Sequence, residues 1–459
     1  MGGYVAYPEY KDSGMAWLGK IPSEWEPLRL RFALVTNPSN REIKLESDAL
    51  VSFVPMDAVG EYGGIRLDTD KELSEIGSGY TYFSENDVVV AKITPCFENG
   101  KGAIAKGLTN KVAFGTTELH VLRPKENLFS NFLFYLTISY IFRNLGESEM
   151  FGAGGQKRVP DRFIKDFRVA LPSWGEQQTI ARFLDYKTAQ IDALIAKKEL
   201  LLKKLAQKRT ALISHAVTKG LDPSVPMKDS GVPWLGEIPV HWQVKRLRFL
   251  LRGRFTNGLF KKAEFWGDGN RIINITDLYI HNDLVDEEKL DRLECNEDEL
   301  QAYSANHGDF FVVRSSLKLE GIGKSAVLLY PSESTVFECH IVRGRPNLND
   351  VHPRFLNLFM NSSYSRQHLM TRSNIVTMAT IDQEKIKNLF VPLPEYDEQQ
   401  QIAEFIDMQA ARIDLMVATA GLAIAKFKEY RTSLITHAVT GKIDVRNVPI
   451  PEQDETEAA

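Results

Sequence analysis

The sequence predicts an α+β fold written twice: two variable domains of mixed α/β type, joined by two long helices that form an antiparallel coiled coil, with a pseudo-twofold internal repeat. Three observations carry this. The stretch "KDSGMAWLGKIPSEW", Lys11 to Trp25, returns as "KDSGVPWLGEIPVHW", Lys228 to Trp242, identical at 10 of 15 positions. Leu171 to Asp222 returns as Leu393 to Asp444, identical at 24 of 52 positions. Within that second block apolar residues recur every seventh position, the period of a coiled-coil seam.

The repeat sets the order of parts along the chain. A first variable domain with its repeat segment occupies 1–170, and a first conserved helix 171–222. A second variable domain with its repeat segment follows at 223–392, and a second helix at 393–446. An acidic tail, 447–459, is expected to be disordered. The variable segments align only in outline, as in "NDVVVAKITP" against "GDFFVVRSSL" and "ELHVLRP" against "ECHIVRGRP". These β-branched runs bounded by Gly, Pro and Asn read as strands. "FLFYLTISYIFRNL" and "FLNLFMNSSYSRQHLM" each read as a helix.

The repeat helices have explicit start signals. Ser173 and Glu176 have capping-box spacing after Pro172, so a helix is expected from near Trp174 to about Thr218. One apolar row runs Leu184, Ile191, Lys198, Leu205 and Leu212, with Leu194 and Leu201 beside it. Its counterpart runs Ile406, Ile413, Ala420, Phe427 and Leu434, with Met416 and Ala423 beside it. Neither helix buries its seam alone, and the two hold equivalent places in the halves. Antiparallel packing on each other follows, giving a stiff spacer between two unlike heads. The plainer alternative is that each helix packs on its own domain.

Composition sets limits on function. The chain has 459 residues, a net charge of −4 and 43% hydrophobic residues, an ordinary globular balance without a uniformly basic coat. Cys96, Cys295 and Cys339 show no paired spacing, which disfavours a zinc site or disulfide framework and fits a reducing cytoplasmic setting. No export leader, lipid anchor or membrane span is expected; "FLFYLTISYIF" is about half the roughly 20 residues a span needs. The sequence contains no Walker A element, no methyl-donor glycine loop and no Asn-Pro-Pro-aromatic tetrad. "GIGKSA" fails as a phosphate loop because Lys318 stands where that motif needs Gly. Duplex DNA has local twofold symmetry, so two heads on one spacer suit two half-sites at a set separation. Because the heads differ, the expected target is bipartite and asymmetric.

The whole pattern resembles the DNA specificity subunit of a type I restriction-modification system. The resemblance rests on "KDSG..WLG.IP..W" in both halves, "DVVVAKITPCFENGKGA" in the first domain, and "LP...EQQ.IA.F.D" leading to "LI.HAVT" in both helices. It covers nearly all of residues 7–446. It implies two target recognition domains on a coiled-coil spacer, double-stranded DNA as ligand, and no chemistry in this chain. It further implies two modification subunits that use S-adenosylmethionine, and restriction subunits that use ATP and Mg. A regulator that binds a bipartite DNA site without modification partners is the alternative.

Candidate DNA-facing residues lie in two loops per head. In "ITPCFENGKGAIAKG" these are Lys92 just before it, Asn99, Gly100, Lys101 and Lys106, where Gly lets backbone approach phosphate and Lys neutralises it. In "FGAGGQKRVP" they are Gln156, Lys157 and Arg158; Gln suits adenine and Arg suits guanine in the major groove. The second head offers Arg314, Lys318 and Lys324, then Arg372, Asn374 and Thr377. The alternative for each is a solvated polar loop. Trp17, Trp25, Trp234 and Trp242 follow the repeat and are expected to pack at junctions, and His215 and His437, at matching helix ends, are expected to be structural residues and not metal ligands. Gln177, Gln178, Gln399 and Gln400 are open between partner contacts and ordinary helix-start polarity. No catalytic and no metal-ligating residue is expected.

Overall fold

The computed structural model describes residues 4–451, apart from 78 and 280–282. Of the tail expected to be disordered, 452–459 lie outside the described residues; the part that is described departs from that expectation, since Val448 and Ile450 pack against the core of the first unit. Two compact units emerge, each drawing on both ends of the repeat: 1–198 with 422–459, and 199–421.

In the first unit, Tyr10–Asp12 and Lys20–Pro22 form a hairpin, and Glu26–Arg29 pairs antiparallel with Arg168–Leu171. An antiparallel sheet follows the order Leu34–Thr36, Leu119–Pro124, Val88–Ala91, Gly102–Ile104. A second sheet has the order Asp70–Glu72, Leu50–Val54, Val112–Gly115, Thr81–Ser84, with its central pair parallel. The Val88–Ala91 strand is buried along its whole length, as its unbroken apolar run requires. Helices α1 (Ser130–Ile138), α2 (Tyr140–Ser148) and α3 (Asp161–Asp166) complete the domain before α4 (Trp174–Lys219).

The second unit repeats this plan. Gln243–Arg246 pairs with Phe390–Leu393, and a sheet runs Thr256–Asn257, Ile341–Gly344, Phe310–Val313, Ser325–Val327. Another runs Asp291–Leu293, Trp266–Ile273, Thr335–Phe337, its last pair parallel. Helices α5 (Glu297–Tyr303), α6 (Pro353–Met360), α7 (Ser363–Thr371) and α8 (Gln383–Lys387) precede α9 (Tyr396–Val439).

Both single helices expected in the heads are pairs. Ser139 caps α2 by accepting from the Phe142 amide at 3.4 Å, and Ser362 caps α7 by accepting from Ser365 at 3.3 Å. A serine that binds backbone in this way supplies a helix start in mid-run, which hydrophobic periodicity cannot register.

The long helices pair antiparallel within each unit. In the first, Ile180, Leu184, Ile191 and Ile195 of α4 share a core with Leu434, Ile435 and Ala438 of α9. In the second, Ile213, Ala216 and Val217 share one with Ile402, Ala403 and Ile406. The row from Leu184 is the buried one: Leu184, Ile191 and Leu205 are buried and Leu212 half-buried. On α9, Ile406, Ile413 and Leu434 are buried and Phe427 half-buried. The companion row is a correction. Leu194, Leu201 and Met416 are 42%, 38% and 44% exposed. The buried companions lie one residue further on: Ile195 and Ala216 on α4, Ala410, Arg431 and Ala438 on α9, with Leu202, Arg209, Val417 and Ile424 half-buried between them. Spacings of three and four both keep side chains on one helical face, and only the position of the partner selects between them.

Candidate nucleic-acid interface

The two first-head loops meet in space although Thr94 and Lys157, which touch, are 63 residues apart in the sequence. Val88–Ala91 leads into Lys92 and Ile93, and Ile93 bridges Arg158 while Arg158 also bridges Phe151. The Thr94 amide donates to the Lys157 carbonyl at 3.0 Å, and the Val159 amide donates to the Lys92 carbonyl at 2.8 Å. Phe151–Arg158 is thus a hairpin laid on the end of the buried strand. Gly154 and Gly155 at its tip have φ of +62° and +76°, a conformation that side chains resist. Gln156 and Lys157 are exposed there.

The base of this hairpin is tied down. The Arg158 guanidinium forks onto Glu118, with both N–H···O distances 2.9 Å. Arg158 in turn holds the Glu118 carboxyl below the usual carboxylate range. His120, buried, has Nε2 at 2.8 Å from the Val159 carbonyl, and burial pushes its pKa down, so the neutral ring donates.

The preceding loop is held from beneath by a residue that sequence reasoning missed. Arg143 of α2 is buried; its guanidinium donates to the carbonyls of Phe97 at 2.7 Å and Lys101 at 3.4 Å and lies 4.6 Å from the Phe97 ring centroid. Burial pushes its pKa down to about 9. A lone Arg inside the apolar run "YIFRNL" was the available signal. Gly146 is needed beside it, since a Cβ there would stand 2.4 Å from the Phe97 ring. Of the candidates here, Asn99 is exposed, Lys92 is half-buried and Gly100 is buried, with φ +79°. Lys101 turns inward, donating from Nζ to the Met56 carbonyl at 3.0 Å. Lys106 lies beyond Ile104, which pairs with Val88, whereas Gly102 pairs with Val90. It therefore stands at the far end of the strand from the hairpin.

The second head repeats the device with other side chains. Ser315–Ser316 pairs with Ala379–Thr380, which pairs with Asn374–Ile375. The Ile381 amide donates to the Arg314 carbonyl at 2.8 Å, as Val159 does to Lys92. Arg366 of α7 takes the place of Arg143 and donates to the carbonyls of Glu320 and Gly321; burial pushes its pKa down to about 10. Lys318, Arg372, Asn374 and Thr377 are exposed and Arg314 is half-buried. Lys324 pairs with Asp283, whose carbonyl accepts from the buried Asn357 amide at 2.8 Å. Beside the hairpin a cavity of about 580 Å³ is lined by Ile275, Tyr279, Leu317, Lys318, His340 and Met378, among others. Glu338, Cys339 and His340 bring one possible ligand atom each within 4.8 Å. Both Glu338 oxygens already accept backbone amides, from Ile275 and His340 at 3.1 Å each.

Repeat residues build the junctions. Trp25 and Trp242 are fully buried, and their indoles donate to Glu176 at 3.2 Å and Glu398 at 3.1 Å. Glu176 therefore does not close a capping box: Ser173 accepts from its amide at 3.4 Å, while its carboxylate receives Trp25 and the Tyr7 hydroxyl, the latter at 2.7 Å. Trp17 stacks on Phe167 and Trp234 on His368. Gln177 and Gln399 are buried clamps. Gln177 accepts from the Phe129 amide at 2.8 Å and donates to Asn127 and Pro172; Gln399 does the same with His352, Asp350 and Pro394. That burial removes these two from any partner surface.

Two heads of one topology, carrying unlike hairpins on a repeated helical frame, define a duplicated scaffold with two separately tailored tips. The model for the type I restriction modification DNA specificity domain matches residues 59–204 and 239–419. The chain belongs to that family. Among curated relatives, the EcoEI specificity subunit of Escherichia coli is 39% identical over 163 residues, 35% of this chain and 27% of that protein. The chain thus spans little more than a quarter of the length of that relative. The EcoKI specificity subunit of E. coli strain K12 is 27% identical over 326 residues, 70% of this chain and 68% of that one. A chain from a solved type I restriction-modification structure has the same fold, with a TM-score of 0.72 at 16% identity, covering 92% of this chain and 99% of that one.

Proposed function

We propose that this chain supplies the sequence address of a type I restriction-modification complex and no chemistry of its own. Each head reads one half of a bipartite, asymmetric target in double-stranded DNA, and the helical frame sets the spacing. Methyl transfer from S-adenosylmethionine and ATP- and Mg-dependent translocation and cleavage belong to partner subunits: two modification subunits and the restriction subunits. The observation that carries this reading is the pairing of a constant frame with variable hairpins at equivalent places. The Trp-Glu and Gln clamps are retained in both halves, whereas Gly152–Lys157 and Ile375–Ala379 share a position and no chemistry.

Exposed apolar side chains support partner docking on the frame. In the second unit Leu200, Met408, Leu415 and Met416 are 52%, 48%, 69% and 44% exposed on the long helices. Among the described residues no helix is long and apolar enough to cross a membrane. The test is a map of methylated adenines in the source strain with and without this gene. A split motif with an unread gap that disappears on deletion is expected; a continuous palindrome, or no change, overturns the reading. Tight binding to one operator by a chain that never associates with a methyltransferase would favour the regulator instead.

A further inference from the structure

The hairpin of the second head presents large apolar side chains to water beside the polar Asn374 and Thr377. Val376 at its tip is 90% exposed, Ile375 66% and Leu317, on the adjoining turn, 82%. The tip is closed by the Val376 amide donating to the Met378 carbonyl at 3.3 Å. These are large apolar groups held in water on a narrow ribbon, at the place where the first head presents Gln156 and Lys157. Around them stand Lys318 and Arg372, exposed, and Arg314, half-buried.

A two-stranded ribbon fits the major groove, where the one apolar feature that distinguishes a base is the thymine C5 methyl group. Flanking cations at the ribbon's foot match the phosphates on either side of that groove. Building on the proposed function, we infer that the second head reads its half-site through thymine methyls, which it buries against Leu317, Ile375 and Val376. The first head reads through the polar groups of Gln156 and Lys157.

The experiment uses the full chain with its modification subunits on the duplex identified by the methylome. Each thymine in turn is replaced by deoxyuridine, which keeps base pairing and O4 and lacks only the methyl. Binding weaker by about fourfold per lost contact is expected at one or more positions of a single half-site. That sensitivity should vanish in Val376→Ala or Leu317→Ala, while Tyr330→Ala, away from the ribbon, leaves it intact. All three side chains are exposed, so melting curves should match the parent. Specific binding that is indifferent to deoxyuridine throughout overturns the inference and leaves the proposed function standing. So does a Val376→Ala chain that loses its modification subunits but keeps its affinity for DNA, which would make the ribbon a protein contact. Absence of any sequence-specific binding would overturn both.

Discussion

Arg431 donates its guanidinium to Asp192 across the paired helices of the first unit, and in the second unit Arg209 donates to Asp414 at 2.5 Å. Asp192 and Asp414 are repeat equivalents, as are Arg209 and Arg431. Each unit thus takes its Asp from one repeat and its Arg from the other. Both arginines sit in the seam row, where a charge is costly unless it meets its partner, so the pair selects one antiparallel register. The Arg431 guanidinium also lies 4.1 Å from the Tyr62 ring centroid.

Removing both members should destabilise less than the sum of the two single removals. Arg431→Ala is expected to cost about 2 kcal/mol, discounted because the Asp192 side chain is 50% exposed, with a coupling of about 1 kcal/mol in a cycle with Asp192→Ala. Denaturant melts of the four proteins measure it. A coupling indistinguishable from zero would mean that the pair does not set register.

The shifted seam separates two leucines that look alike in sequence. Leu205→Glu puts a carboxylate at a buried position and should cost about 3 kcal/mol or more, whereas Leu194→Glu should stay within about 0.5 kcal/mol. Phe427→Glu should behave as Leu205→Glu does, weakening dual-site recognition before it harms either head. Thermal melts and methylation of the split target provide the comparison, and equal effects at 194 and 205 would contradict the assignment.

Arg143 and Arg366 hold loops from below, so their loss should blur one half-site each. Arg143→Met removes the guanidinium from the Phe97 and Lys101 carbonyls, which keep only the Gly100 and Ala91 amides as donors, and should cost about 1 kcal/mol. In a methylome, degeneracy is expected to appear in one half of the motif only. Arg366→Met should blur the other half. Degeneracy in both halves from either single variant would show that the loops are not separately supported.

Acid should loosen the second unit through His368. Its ring stacks on Trp234 at 4.3 Å, and burial, then Arg372, pushes its pKa down to about 4. The unfolded chain binds this proton near pH 6.5 and the folded chain does not, so stability falls as pH drops from about 6.5 towards 4. His368→Phe should keep the stack and flatten that part of the curve. Melting temperatures between pH 7.5 and 4.5 for the two proteins test it, and parallel curves would remove His368 from the account.

Much of this was legible in the residues. The start of α4 at Trp174 follows from Ser173 after Pro172, and its end at Lys219 falls within a residue of expectation. Arg143 was not legible as a support, because nothing local says that a lone Arg in an apolar helix will find two carbonyls under a loop some 45 residues away. The sequence left Gln177 open between a partner contact and ordinary helix-start polarity. Its burial depends on a turn at Asn127 to Phe129, whose open carbonyl and amide match both ends of an amide side chain.

The sequence by itself determined that the chain is a duplication, that two long helices recur with a 3.5-residue period, and that its constant and variable parts alternate. Those are statements about residues and their neighbours, and local periodicity and internal repetition are enough for them. Tertiary structure alone decided which of two adjacent rows is buried, which polar side chains brace the loops, and that Lys101 faces inward while Val376 faces out. Burial is a property of what arrives from elsewhere in the chain: Asp192 meets Arg431 only after folding joins residues far apart in the sequence.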